Sequence, residues 1–453
     1  MRTPVVRELR DLLRLATPLA AAQAGTQLMG LVDVAVLGRL GAREIAGSGL
    51  ANAIFFAFSI IATGLVMGVD PLMSQAIGAG DRQRARRVLW HGLWLAVCVA
   101  VALTLTLIVA ALLLPRIGSQ PELIEPATTY LLVRITGVLP FLAFYVVRSY
   151  LQALGITRPL LVSMVVANLF NLGADILFVF GGTVLPEWCG PLRAFPAMGV
   201  GGAALATVLC TIVQLAIVAR AVMKVEKAEP VSRRWDGAEI MRAVQVGWPL
   251  GLQMGAEVGI FALVGLMASR LGTLHLAAHQ LVIGIASFTF TVALGIAAAA
   301  SVRVGMWIGA ANAAATRLSG RVAFLGGGIV MGISALAFAF FPRAIARLVT
   351  DQENVILASL PLMVVAAVFQ LSDGIQAVGA GVLRGAGDTK FAFYANIVGH
   401  WLVGLPVALY LGFHAGLGIV GLWWGLCAGL TVVAVLLFVR FERLSRNVIA
   451  PVA

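Results

Sequence analysis

Charge is what this chain has least of. Only 11% of its 453 residues are Asp, Glu, Lys or Arg, against 60% that are hydrophobic, and the mean hydropathy is +0.99. The polar gaps are too short to fold as a water-facing domain, so the composition excludes an ordinary soluble enzyme. Cysteine is sparse as well. Cys98, Cys189, Cys210 and Cys427 show no C-x-x-C pair, which excludes a zinc cluster or a disulfide framework and leaves packing as their role. No H-E-x-x-H, no G-x-S-x-G and no paired catalytic acids occur at membrane depth, so an enzyme is not expected. Alternating segments of about ten residues are missing, and with them a membrane β-barrel. Acids are the scarcest charge, 20 against 32 bases. The bases sit in gaps between apolar runs, which is the positive-inside pattern and not the footprint of a nucleic acid.

What is present is a succession of long apolar runs. Twelve spans can be placed, at residues 13–37, 45–76, 89–114, 125–154, 160–180, 198–223, 238–269, 274–306, 318–341, 354–383, 391–413 and 417–441. Each is long enough to cross a bilayer at ~1.5 Å per residue. The fold class is therefore all-α and polytopic, with the lipid bilayer as its surround. Basic residues such as Arg82, Arg84, Arg86, Arg87, Arg233 and Arg234 crowd one set of gaps. With Arg2, Arg7, Arg10 and Arg14 before an uncleaved first span, they place both termini in the cytoplasm.

The halves echo each other. TPLAAAQAGTQLMGLVDVAVLGRLG from Thr17 returns as WPLGLQMGAEVGIFALVGLMASRLG from Trp248, pairing Pro18 with Pro249 and Arg39 with Arg270. LQALGITR from Leu151 returns as LRGAGDTK from Leu383. Six spans per half is an even number, so both halves enter the membrane in the same direction, as a parallel repeat. The expected division is residues 1–224 as one six-helix bundle, 225–237 as a cytoplasmic linker and 238–453 as the second bundle.

A carboxylate in hydrocarbon costs at least about 2.5–3.5 kcal/mol, so acids inside spans are functional candidates. Asp33 has apolar neighbours on all sides. In the fifth span Asn168, Asn171 and Asp175 fall at i, i+3 and i+7, one helix face that can hold a proton, coordinate a hard cation or bond a neighbouring helix. Glu257 and Asp373 are the acids of the second half, and Glu257 with His279, Gln280 and Gln370 would line a polar cavity. For His279 and Gln370 the alternative is interhelical hydrogen bonding. His400, near Pro406, either titrates or is a satisfied core histidine. Asp70, before Pro71, reads as structural at a kink. Pro18 either bends the first helix or starts it. Arg134, Arg148 and Arg303 fall inside spans.

In this order the motifs resemble the multidrug and toxic compound extrusion family. LVDVAVLGRLG from Leu31 is similar to its first-helix signature, and DPLMSQAIGAGD from Asp70 to its second-helix ending. LAAHQ from Leu276 and ASVRVG from Ala300 are similar to the NorM-like branch, and LRGAGDTK matches the tenth-helix exit. The resemblance implies a secondary antiporter that extrudes amphipathic or cationic drugs in exchange for H+ or Na+, with a V-shaped pair of bundles and alternating access. It implies a coupling site of Asp33, Asn171 and Asp175, joined by a sixth-helix Thr, here Thr207, with possible Na+ at Asp33, Asn171 and Asp175. It makes Glu257 and Asp373 functional acids, which with Gln280 and Gln370 form the expected second-half substrate cavity, and it gives a bend to Pro18. Phe369 stands where a Tyr is common, removing one oxygen from any second-half Na+ site. Phe55, Phe56, Phe58, Phe141, Phe144, Phe288 and Phe290 are candidates for the drug-cavity wall. The expected setting is the bacterial inner membrane, as a monomer, with no cofactor beyond the coupling ion. The alternative is a lipid-linked precursor flippase of the same superfamily, which would need extra spans or a cationic cavity.

Overall fold

The computed structural model describes residues 4–116, 120–225 and 231–452. Arg2 and residues 226–230 of the expected linker lie outside them. The described residues are helical with no strand, as hydrocarbon demands, because a backbone without water must satisfy its own hydrogen bonds. The helices are α1 (Pro4–Leu37), α2 (Ala42–Val66), α3 (Val69–Gly78), α4 (Arg82–Leu113), α5 (Pro121–Ile135), α6 (Val138–Ala153), α7 (Arg158–Phe180) and α8 (Gly199–Val225). They continue as α9 (Gly237–Arg270), α10 (Thr273–Gly309), α11 (Ala313–Phe340), α12 (Pro342–Arg347), α13 (Glu353–Gly385), α14 (Thr389–Asn396), α15 (Leu405–Leu409) and α16 (Gly418–Leu444). Among the described residues eleven helical stretches are long and apolar enough to cross a membrane, and α5 with α6, bent by 48°, makes a twelfth.

Three expected spans are interrupted, each just before a proline. A proline lacks the N–H that would bond four residues back, and its ring crowds that carbonyl. Pro71 stands behind the break between α2 and α3, and Pro140 behind the bend between α5 and α6. Pro406 follows a π-helical stretch, Ile397–Gly404, where hydrogen bonds run i to i+5. Pro18 and Pro249 lie inside α1 and α9. Pro18 is thus well past the start of its helix.

The repeat is visible in the backbone. Asp81 N–H bonds the Ala76 carbonyl, and Asn312 N–H bonds Trp307 at the matching turn of the second half. Gly80 there has φ +79°, and its counterpart Ala311 is the only non-glycine with positive φ among the described residues, at +52°. Likewise Ile156 bonds back to Leu151 and Asp388 to Leu383.

Compactness divides the chain differently from the repeat. One unit takes Met1–Gln23, Asp70–Ala85 and Gln245–Ala453; the other takes Ala24–Val69 and Arg86–Val244. In the first unit α10, α13 and α16 pack around a core that includes Phe338, Phe369 and Trp423. The opening turns of α1 are held there by a buried ion pair. Arg303 of α10 donates from Nε to Glu8 Oε1 at 2.9 Å and from Nη2 to Glu8 Oε2, with Asp11 3.5 Å away. Asp70 lies 3.5 Å from Arg384. In the second unit α7 packs on α8, and α5 on α2 and α8. Outward apolar side chains such as Leu105, Leu112 and Leu169 stay exposed, as a surface solvated by lipid requires.

A carboxylate pair in the membrane

The second unit brings Asp33 and Asp175 together. Asp33 on α1 is half-buried, while Asn171 and Asp175 on α7 are fully buried. Asn171 donates from Nδ2 to Asp33 Oδ1 at 3.1 Å. The Thr207 hydroxyl on α8 stands 3.3 Å from Asp33 Oδ2 and 3.0 Å from the Ala203 carbonyl. Its single proton serves one of them at a time. Asn168 turns back along α7 to the Met164 carbonyl and faces α1 at Gly25.

Asp175 is the unusual member. No donor reaches either of its oxygens, and Asn171 Oδ1 is equally without a partner. What faces Asp175 is the carboxylate of Asp33. Two carboxylate oxygens can approach one another only with a proton or a cation between them; otherwise they repel in a medium of low dielectric. The cluster is therefore rich in acceptors and short of donors. Sequence reasoning missed Tyr130 on α5, which is buried and lies against Thr207. Spacing on α5 could not reveal which of its faces meets α8.

The in-span acids of the first unit are treated differently. Glu257 Oε2 on α9 accepts from Gln376 Nε2 at 3.3 Å and from Asn396 Nδ2 at 3.4 Å. Neither amide was singled out from the sequence, although Gln376 lies one turn beyond Asp373. Asp373 is buried within electrostatic reach of Glu257. Gln370 donates to Thr289 at 2.6 Å, and the Trp423 indole donates to His279 Nδ1 at 3.2 Å. Gln280 is exposed and is not brought to Glu257 by any hydrogen bond of the described residues. Phe369 packs on Phe261 and Trp423, at centroid distances of 6.1 and 5.4 Å. His400 is fully buried with neither ring nitrogen bonded.

Fold and site define a class: a polytopic helical membrane protein that keeps paired acids inside its spans. The MatE family model matches residues 18–177 and 249–410, the two copies of the repeat. The multidrug resistance protein NorM of Burkholderia vietnamiensis is 34% identical over 97% of this chain and 95% of its own length. A probable NorM of Deinococcus radiodurans is 35% identical over 97% and 96%. Among solved structures, a mutant of the Vibrio cholerae MATE transporter VcmN superposes with a TM-score of 0.87 at 21% identity, covering 98% of both chains. A MOP superfamily transporter from Pyrococcus furiosus gives 0.85 at 21% identity over 98% and 99%. The chain belongs to the MatE family.

Proposed function

We propose that this protein extrudes amphipathic organic cations from a bacterial cell across the inner membrane, in exchange for H+, by alternating access. The relatives named as multidrug resistance proteins support the export of drugs. One observation carries the coupling: the buried Asp175 carboxylate, without a donor, faces Asp33. A proton between the two carboxylates removes their repulsion, and so does an organic cation. The two ligands therefore compete for one buried negative site, and a carrier that changes sides only when the site is neutralised exchanges one for the other. Moving one elementary charge inward supplies about 2.3 kcal/mol per 100 mV. Na+ would use the same oxygens. H+ is preferred here because one proton shared between the two carboxylates is enough by itself to remove their repulsion. Transport, not catalysis, is the activity, with a monomer as the working unit and both termini in the cytoplasm.

The test is drug efflux from proteoliposomes carrying a pH gradient in nominally sodium-free buffer, with an ionophore control. Asp33→Asn and Asp175→Asn abolish the coupled efflux, whereas Glu257→Gln and Asp373→Asn change substrate range more than coupling. Efflux that needs added Na+ and ignores the pH gradient would refute the proton.

A further inference from the structure

A third charge belongs to the Asp33–Asp175 neighbourhood. Arg134 lies in α5, one turn after Tyr130, in a membrane-spanning pair of helices where a fixed cation is costly. Its Nε is buried without a hydrogen-bond partner. Among the described residues no carboxylate lies within ion-pair distance of it. Its guanidinium instead rests 4.3 Å above the ring of Phe55 on α2. That ring begins an aromatic series: Phe55 meets Phe141 edge-on at 6.2 Å, Phe141 meets Tyr145 at 5.1 Å, and Arg148 covers Tyr145 at 5.5 Å. α5 runs alongside α8, with Thr129 near Gly201 and Gly137 against Val208. Arg134 is thereby level with the stretch of α8 that ends at Thr207, the residue beside Asp33. Its charge acts through space on Asp33, Tyr130 and Cys210. The charged or titratable groups of this neighbourhood are Asp33 from α1, Tyr130 and Arg134 from α5, Asp175 from α7 and Cys210 from α8.

A guanidinium parked on an aromatic face, near acids but not bonded to them, is a cation of the site's own. Two carboxylates and one guanidinium leave a single net negative charge. We propose that Arg134 sets the valence of the exported cation: the site is neutralised by one positive charge, so that it accepts singly charged organic cations and disfavours doubly charged ones. This rests on the proposed function, in which drug and proton compete at the carboxylates. Removing Arg134 would leave two negative charges for the ligand to meet. A unit charge about 10 Å away at an effective dielectric of about 20 changes the relative affinity of a dication on the order of tenfold.

The experiment measures the binding of tetraphenylphosphonium, one charge, and dequalinium, two charges, to the purified full-length protein at one pH. The readout is the ratio of their dissociation constants, which a general loss of fold or affinity does not move. In Arg134→Gln the ratio shifts about tenfold towards the dication, and Arg134→Lys restores the wild-type ratio. An unchanged ratio in Arg134→Gln overturns the inference. If that variant fails to fold, Phe55→Leu decides: without its ring the guanidinium turns to the acids, and the ratio shifts against the dication. No shift, or the opposite one, overturns the inference. Asp33→Asn separates the two failures. When it weakens both ligands but Arg134→Gln leaves the ratio alone, only the role of Arg134 falls. When it weakens neither, the carboxylates do not hold the ligand and the proposed function falls with it.

Discussion

Asp175→Asn should make the protein more stable while removing its coupling. The wild-type side chain is fully buried, with two oxygens that no donor reaches, facing another carboxylate. The variant keeps the shape, discharges one partner and places an N–H where Asp33 can accept it. A hydrogen bond to a charged group contributes about 1.5–3 kcal/mol, so a gain of about 2 kcal/mol is expected when the pair is poorest in protons. An unfolding entropy of about 2.1 cal/mol/K per residue gives, for 453 residues, about 1 kcal/mol/K. The midpoint should therefore rise by about 2 °C. The assay is thermal unfolding of the detergent-purified protein at pH 8.5 and again at pH 5.5. At the lower pH the gain should shrink, because a proton then does what the amide does. It should also shrink in an Asp33→Asn background, giving a coupling energy of about 1–3 kcal/mol between the two positions. A variant that is neutral or less stable at pH 8.5, or a gain that persists unchanged without Asp33, would refute the idea that the two carboxylates repel.

Four further variants can be checked by the same thermal assay. Ala311→Gly should raise the midpoint by up to about 1 °C: left-handed backbone costs an L-residue roughly 1–2 kcal/mol, of which glycine's extra freedom when unfolded returns about 0.4–1. Gly80→Ala, at φ +79° in the matching turn, should have the opposite sign. Glu8→Gln should cost about 2–3 kcal/mol, less than the 3–5 typical of a broken buried pair, because Asp11 remains 3.5 Å from Arg303. The double change Glu8→Met with Arg303→Met should recover most of that loss.

The helices, the repeat and the separate in-span acids could be read from the sequence because each leaves a one-dimensional trace. Long apolar runs mark spans, a constant offset marks the repeat, and Asn171 with Asp175 falls one turn apart on a single face. Thr207, and the pairing of Asp33 with Asp175, needed the family resemblance. Other features depend on what packs against what. The sequence shows Pro18, Pro71, Pro126, Pro140, Pro249, Pro361 and Pro406 alike, yet some ride inside continuous helices and others stand behind a break. Gln376 and Asn396 are unremarkable amides until α13 and α14 bring them to Glu257. Arg134 could be noticed as an in-span cation, but its neighbours come from α2 and α8. The compact units were not legible at all, since Glu8 and Asp70 find their arginines in the other half of the sequence.

The clasp between Glu8 and Arg303 also has a consequence for biogenesis. The partners are 295 residues apart in sequence. At about 5–20 residues per second, α10 is synthesised roughly 15–60 s after the opening turns of α1. During that interval Glu8 lacks the Arg303 guanidinium with which it is buried, and a carboxylate without its buried partner is best kept in water. The first turns of α1 must therefore wait at the membrane surface and settle only after α10 has inserted. A nascent chain halted before Arg303 should leave this segment open to protease added on the side of the membrane that holds it, and one released beyond it should not.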